Sequence, residues 1–152
     1  MAETLLVQSN ELGLREVEEF LDRSFDTYHV AHYSGTMTVP VLQAVQNAIQ
    51  HGNAADASKQ VRLEVGHCTG GLYFEVEDEG SGFDYDASLA RLGEPGMGKG
   101  LLLITTLADR YSFSKGGSLV RMEFDIEGVM TNDAAERAAC LQHFYHFDAV
   151  EA

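Results

Sequence analysis

The sequence predicts an α+β two-layer sandwich: a mixed, mostly antiparallel sheet with its helices on one face. Three observations carry this. Strand-like segments arrive in pairs joined by glycine-bearing turns, the connection that antiparallel neighbours use. Within each pair apolar and polar residues alternate, so the sheet has one apolar and one polar face. The helical segments have apolar stripes suited to covering that face.

"TLLVQS" reads as a short first strand. Asn10 is suited to cap a helix of about residues 11 to 26, where Leu14, Val17, Phe20, Leu21 and Phe25 fall at helical spacing. "DTYHVAHYSGTMT" reads as a loop. "VLQAVQNAIQHGN" predicts a second helix, about 39 to 51, ended by Gly52 and Asn53. "QVRLEV" puts Val61, Leu63 and Val65 on one face, and "GLYFEVEDEG" does the same with Leu72, Phe74 and Val76; "CTGG" turns between them. A Gly- and Asp-rich loop covers about 79 to 98, and "GLLLITTLAD" is an apolar helix of about 99 to 109. "YSFS" and "SLVRMEFDI" flank "KGG" as a second hairpin, with Val120, Met122, Phe124 and Ile126 on one face. After "TND", residues 133 to 146 read as a last helix, with Ala134, Ala138, Leu141 and Tyr145 as its stripe.

The chain has 152 residues, enough for one domain with a substantial core. No apolar run reaches the roughly 18 residues that span a bilayer. "MAETLLVQSN" carries an acid where a secretory signal has a base, so a cytoplasmic location is expected. Cys68 and Cys140 have no metal-ligand spacing and read as free thiols. Asp and Glu total 24 against 10 Lys and Arg, a formal charge of −14. That field repels nucleic acid and anionic lipid, and it favours a basic protein partner.

Four features point to chemistry. On the second helix Gln43, Gln46, Asn47 and Gln50 form an uncharged polar face opposite Val41, Val45, Ala48 and Ile49. Asn47 offers an oxygen suited to Mg²⁺, although such amides also simply face water. Asp78 continues the apolar face of Leu72, Phe74 and Val76, where a carboxylate is costly without a donor such as an exocyclic amine or a turn N–H. In "DEGSGF", Gly80 and Gly82 permit a close approach of backbone to a flat ring. In "GEPGMGKGLLLI", Gly96, Gly98 and Gly100 precede a helix N-terminus, with Lys99 among them; this is a phosphate-binding arrangement or a hinge.

In this order, "NAIQHG", "DEGSGF" and "GMGKGL" resemble the N, G1 and G2 boxes of the Bergerat-fold (gyrase and histidine-kinase type) ATPases, over roughly residues 10 to 126. The short form looks like the anti-sigma-factor serine/threonine kinases of bacterial partner-switching systems. The resemblance implies an ATP-binding histidine-kinase-like ATPase domain at 1–128 and a C-terminal helical extension at 129–152. It implies ATP and Mg²⁺ as cofactors. Asn47 would hold the metal, Asp78 would take the adenine amine, and Gly80 and Gly82 would lie by the ring. Gly96, Gly98, Lys99, Gly100 and Leu101 would meet the phosphates, and residues 84–97 would form a lid. Arg91, in that lid, is a candidate for the terminal phosphate. Implied partners are a sigma factor, bound by a homodimer, and an anti-sigma antagonist phosphorylated on Ser or Thr.

One position departs from the pattern. The kinases carry a Glu four residues before the Asn, as general base; here it is Gln43. A carboxamide cannot accept the hydroxyl proton, and general-base help is worth roughly 10²- to 10⁴-fold. Expected chemistry is therefore slow or absent, and a catalytically inactive interaction module is the alternative reading.

Overall fold

A computed structural model describes residues 2–95 and 99–126. The predicted helix at 133–146, and the whole of 129–152, lie outside the described residues. Strand β1 (Glu3–Gln8) leads into helix α1 (Glu11–Thr27). Asn10 caps it as expected, its side-chain oxygen accepting from Gly13 N–H at 3.0 Å. Gly13 is required there, because a Cβ would collide with the Gln8 carbonyl as the chain reverses.

The second helix differs from its sequence reading. α2 spans Ser34–Asn47, preceded by a 3₁₀ turn at Ala31–Tyr33 and followed by a π turn at Ala48–Gly52. Pro40 falls at the start of the expected span of about 39 to 51, where proline's missing N–H costs little. It instead lies inside α2, buried in the core. Burial of Met37 and Val30, both in the expected loop, extends the ordered chain backward past it. The π turn widens the C-terminal end of α2, and such insertions concentrate at functional sites.

Strands β2 (Gln60–Cys68), β3 (Gly71–Glu77), β4 (Arg110–Ser114) and β5 (Leu119–Asp125) complete a five-stranded sheet of order β1-β2-β3-β5-β4. Every neighbouring pair is antiparallel. Both hairpins fall where the turns predict them. Cys68 pairs with Gly71 across Thr69 and Gly70, and Gly70 takes φ +83°. Val7, Val61, Leu63, Val65, Leu72, Phe74, Val76, Val120, Met122 and Phe124 all point to one side, where α1, α2 and the helix holding Ile104 cover them. Each such side chain contributes about 1.5–3 kcal/mol by leaving water.

The opposite face is a lattice of paired charges. Arg62 bonds Glu64, Glu75 and Glu77, while Arg121 bonds Glu75 and Glu123 and lies 4.0 Å over the Tyr73 ring. Tyr73 donates to Glu64 at 2.7 Å, and this bond with partial burial pushes its phenol up to about 12.

Two further differences concern the segment between β3 and β4. The expected loop contains a short helix, α3 (Tyr85–Ala90), capped by Asp84 accepting from Ala87 N–H. It is too short to show periodicity. Helix α4 spans Lys99–Leu107 and packs on α2 through Leu103, Leu107 and Val39. It ends before the Asp109 of the expected span, because Asp109 N–H already donates to Glu123 O beside the sheet.

Asn53 joins these parts. It is fully buried; its amide nitrogen donates to Ser9 Oγ and Gln60 O, each at 3.1 Å, and its oxygen accepts from Glu79 N–H at 2.8 Å. Ser9 in turn donates to Lys59 O. Ala54 and Ala55 then take φ of 53° and 57° to leave the site. That left-handed conformation costs about 1–2 kcal/mol per residue. Asn53→Ala should cost about 3 kcal/mol, mainly by orphaning the buried partners, with an unchanged denaturant slope in urea unfolding.

Candidate functional site

A cavity of about 470 Å³ opens between the helices and the loop after β3. The end of α2 supplies Asn47, His51 and Gly52; the loop supplies Asp78 and Phe83; α3 supplies Ser88; and α4 supplies Gly100 and Leu101. Three segments distant in sequence, each predicted to carry chemistry, thus meet around one space.

Asp78 is held by its main chain, its N–H donating to Ser118 O at 2.9 Å. Its Oδ1 accepts from Gly80 N–H at 2.8 Å, the one hydrogen bond its carboxylate receives among the described residues. The second oxygen is left to accept from a ligand. Gly52 lies directly against this carboxylate, and a Cβ there would overlap it. A Cβ on Gly80 would meet the Gly52 carbonyl. The two glycines therefore let backbone close around Asp78 from both sides. Gly82 takes φ +85° and packs on the Gly116 carbonyl, while Phe83 N–H donates to the same carbonyl at 3.0 Å. This seats the segment after β3 on the β4–β5 turn.

The neutral face of α2 looks at α4. A Cβ on Gly100 would stand 3.0 Å from Gln43 Oε1 and 3.1 Å from Asn47 Nδ2. Both amides are half-buried at that contact, as is Gln46, while Gln50 is exposed. The first turn of α4 carries unpaired N–H groups and positive potential. Leu101 follows on its cavity side. Lys99 opens α4, and Gly96 and Gly98 lie outside the described residues. Arg91 pairs with Glu94 at 3.3 Å on the surface. His51 falls within "NAIQHG", and sequence reasoning gave it no place in the cavity wall. Sequence reasoning also missed Ser88 and the clamp of Asn53, for which no motif gave a signal, and it gave no role to Phe83, the last residue of "DEGSGF".

The arrangement fits an adenine nucleotide. The free oxygen of Asp78 can accept from an exocyclic amine, the close glycines admit a flat ring, and the end of the cavity at Gly100 is the positive end of a helix. For Mg²⁺ the fit is a single amide oxygen on Asn47. No group of three His, Cys, Asp or Glu among the described residues could hold a metal, so the ion would arrive with phosphate and water as its other ligands.

The sequence model of the histidine kinase-like ATPase domain matches residues 15–124. The chain belongs to that family, and its five-stranded sheet with helices is that family's fold. Its domain is thus an ATP-binding one. No curated protein matches the chain. Among the described residues no helix is long and apolar enough to cross a membrane.

Burial in the cavity wall pushes the Asp78 carboxyl above its ordinary value, outweighing the Gly80 N–H that favours the anion; Glu77 adds to the rise. The folded chain therefore binds this proton more tightly than the unfolded chain. Stability from this group is lost as pH rises from the unfolded value through the folded one. Asp78→Asn retains the acceptor for Gly80 but cannot ionise. Thermal melts should show it more stable than the native chain at neutral pH, with the gain vanishing below the unfolded carboxyl value.

Proposed function

We propose that this ATP-binding protein is a regulator of the anti-sigma-factor kinase type, which holds a sigma factor and acts weakly or not at all on a Ser/Thr antagonist. The observation that carries the nucleotide site is the Asp78 carboxylate, set between Gly52 and Gly80 with one oxygen free in the cavity. Asp78 accepts from the adenine amine, with Gly80 and Gly82 shaping the backbone behind it. Asn47 holds Mg²⁺ on the triphosphate. Gly96, Gly98, Lys99, Gly100 and Leu101 meet the phosphates. Bound ATP supplies the phosphoryl group; the protein supplies position and charge complementarity.

The doubt about catalysis rests on Gln43. Its amide reaches toward Gly100 but cannot take a proton. A carboxylate there would face the positive end of α4, an environment that tolerates negative charge. The domain at 1–128, the extension at 129–152, a homodimer and both protein partners belong to this proposal.

Isothermal titration should show Mg²⁺·ATP binding that ADP competes and that Asp78→Asn abolishes. No heat at millimolar ligand would instead assign the fold to a nucleotide-free interaction module. With a cognate antagonist and labelled ATP, Gln43→Glu should raise phosphoryl transfer by roughly 10²-fold or more over the native chain. Rapid transfer by the native chain would overturn the reading of Gln43.

A further inference from the structure

Among the described residues, strand β4 is the edge of the sheet opposite β1 and pairs with β5 on one side only. It is exposed at every position but Phe113. Edges of this kind recruit a further strand unless guarded by lysine, proline or a bulge. β4 contains no lysine and no proline. Its one arginine, Arg110, is held inward on the sheet by Glu123 at 2.9 Å and Asp125 at 2.7 Å. Lys115, just beyond its other end, is held by Glu77.

Beside this edge stands a group of rings. Tyr85 stacks on Phe113 with centroids 5.2 Å apart and planes at 18°. Phe83 and Tyr111 both meet Phe113 edge-on. Phe83 is 43% exposed and Tyr111 40%. The other edge, β1, offers a lone exposed Leu6 and no aromatic residue. Asp84 and Asp86, both exposed, flank Tyr85. With the neighbouring cations engaged by the sheet, the surroundings of the rings are acidic, in keeping with the chain's charge of −14.

We propose that the β4 edge is a docking site for a basic, extended segment of a protein partner. The segment adds as a strand beside β4, so that main-chain hydrogen bonds give affinity and alternate side chains give selectivity. Its lysine or arginine side chains lie over Tyr85 and Tyr111 and reach Asp84 and Asp86. Rings attract such cations through their faces, and the carboxylates add charge attraction. An acidic segment meets repulsion at the same place. The site needs no nucleotide, although Phe83 also lines the cavity and Asp84, Tyr85 and Asp86 fall in the segment expected to form its lid.

The test is a titration of the full chain, without nucleotide, by a short blocked peptide alternating lysine and valine, and by its counterpart with glutamate for lysine. Amide shifts in the NMR spectrum should centre on residues 110–114 with the lysine peptide, weaken with salt, and be absent with the glutamate peptide. Tyr111→Ala, at an exposed ring, should weaken binding by about fivefold, and Asp86→Lys by a similar factor. Equal binding of the two peptides, or shifts centred on β1, would overturn the proposal. So would a self-associated state in sedimentation that Tyr111→Ala dissolves, since the edge would then belong to a second copy.

Discussion

The site depends on one buried amide. Asn53 is fully enclosed, and its three hydrogen bonds reach Ser9 after β1, the start of β2 at Gln60, and Glu79 just past β3. Its own main chain is the last turn of the π segment, with its N–H on Ala48 O. It thereby fixes the end of α2 against the end of β3. Gly52 and Asp78 are the sequence neighbours of the two atoms so joined, and they meet because Asn53 and Glu79 do. A hydrophobic contact could bring those ends near each other but would not set them at a chosen register; a directional bond in a dry setting does both.

The sheet shows why the protein can bury such a clamp and still carry so much acid. The inner face is apolar across its centre, and the outer face answers its glutamates with Arg62 and Arg121 rather than leaving them to repel. Single pairs of this exposure are worth about 0–1 kcal/mol. Their importance is in register. A slip of one residue would turn every arginine into the core and every valine outward. Much of the excess negative charge then lies away from the sheet, at Glu11, Glu16, Glu18, Glu19, Asp22 and Asp26 of α1 and at Asp84 and Asp86 beside Tyr85.

Much of this was legible because it is periodic. Val61, Leu63 and Val65, or Leu72, Phe74 and Val76, declare their common face by spacing alone, and the parity that placed Asp78 with them holds in the structure. Hairpin turns declare themselves by glycine. What could not be read was non-periodic. α2 begins before its expected place because the burial of Met37 and Val30 is a tertiary fact that helical spacing from Val41 onward does not show. The order of strands, with β5 between β3 and β4, has no local signature. Asn53 resembled any amide after a helix-ending glycine, and nothing near it names Ser9 or Glu79 as partner. α3 is a single short turn set by the cap at Asp84 and by rings contributed from β4.

The uncharged face of α2 has a steric cause as well as a chemical one. Gln43 and Asn47 lie at contact distance from where a Cβ of Gly100 would be, so at that point α4 approaches α2 with no side chain of its own between them. A lysine on that face would meet the positive end of α4, and its long stem would have no room. A short amide satisfies both limits. It can accept from an N–H or donate to a phosphate oxygen without a change of charge. Glycine at 100 and amides at 43 and 47 are therefore one solution. Close helix packing requires the missing Cβ, and that packing brings the positive end of α4 into the same cavity as the carboxylate of Asp78.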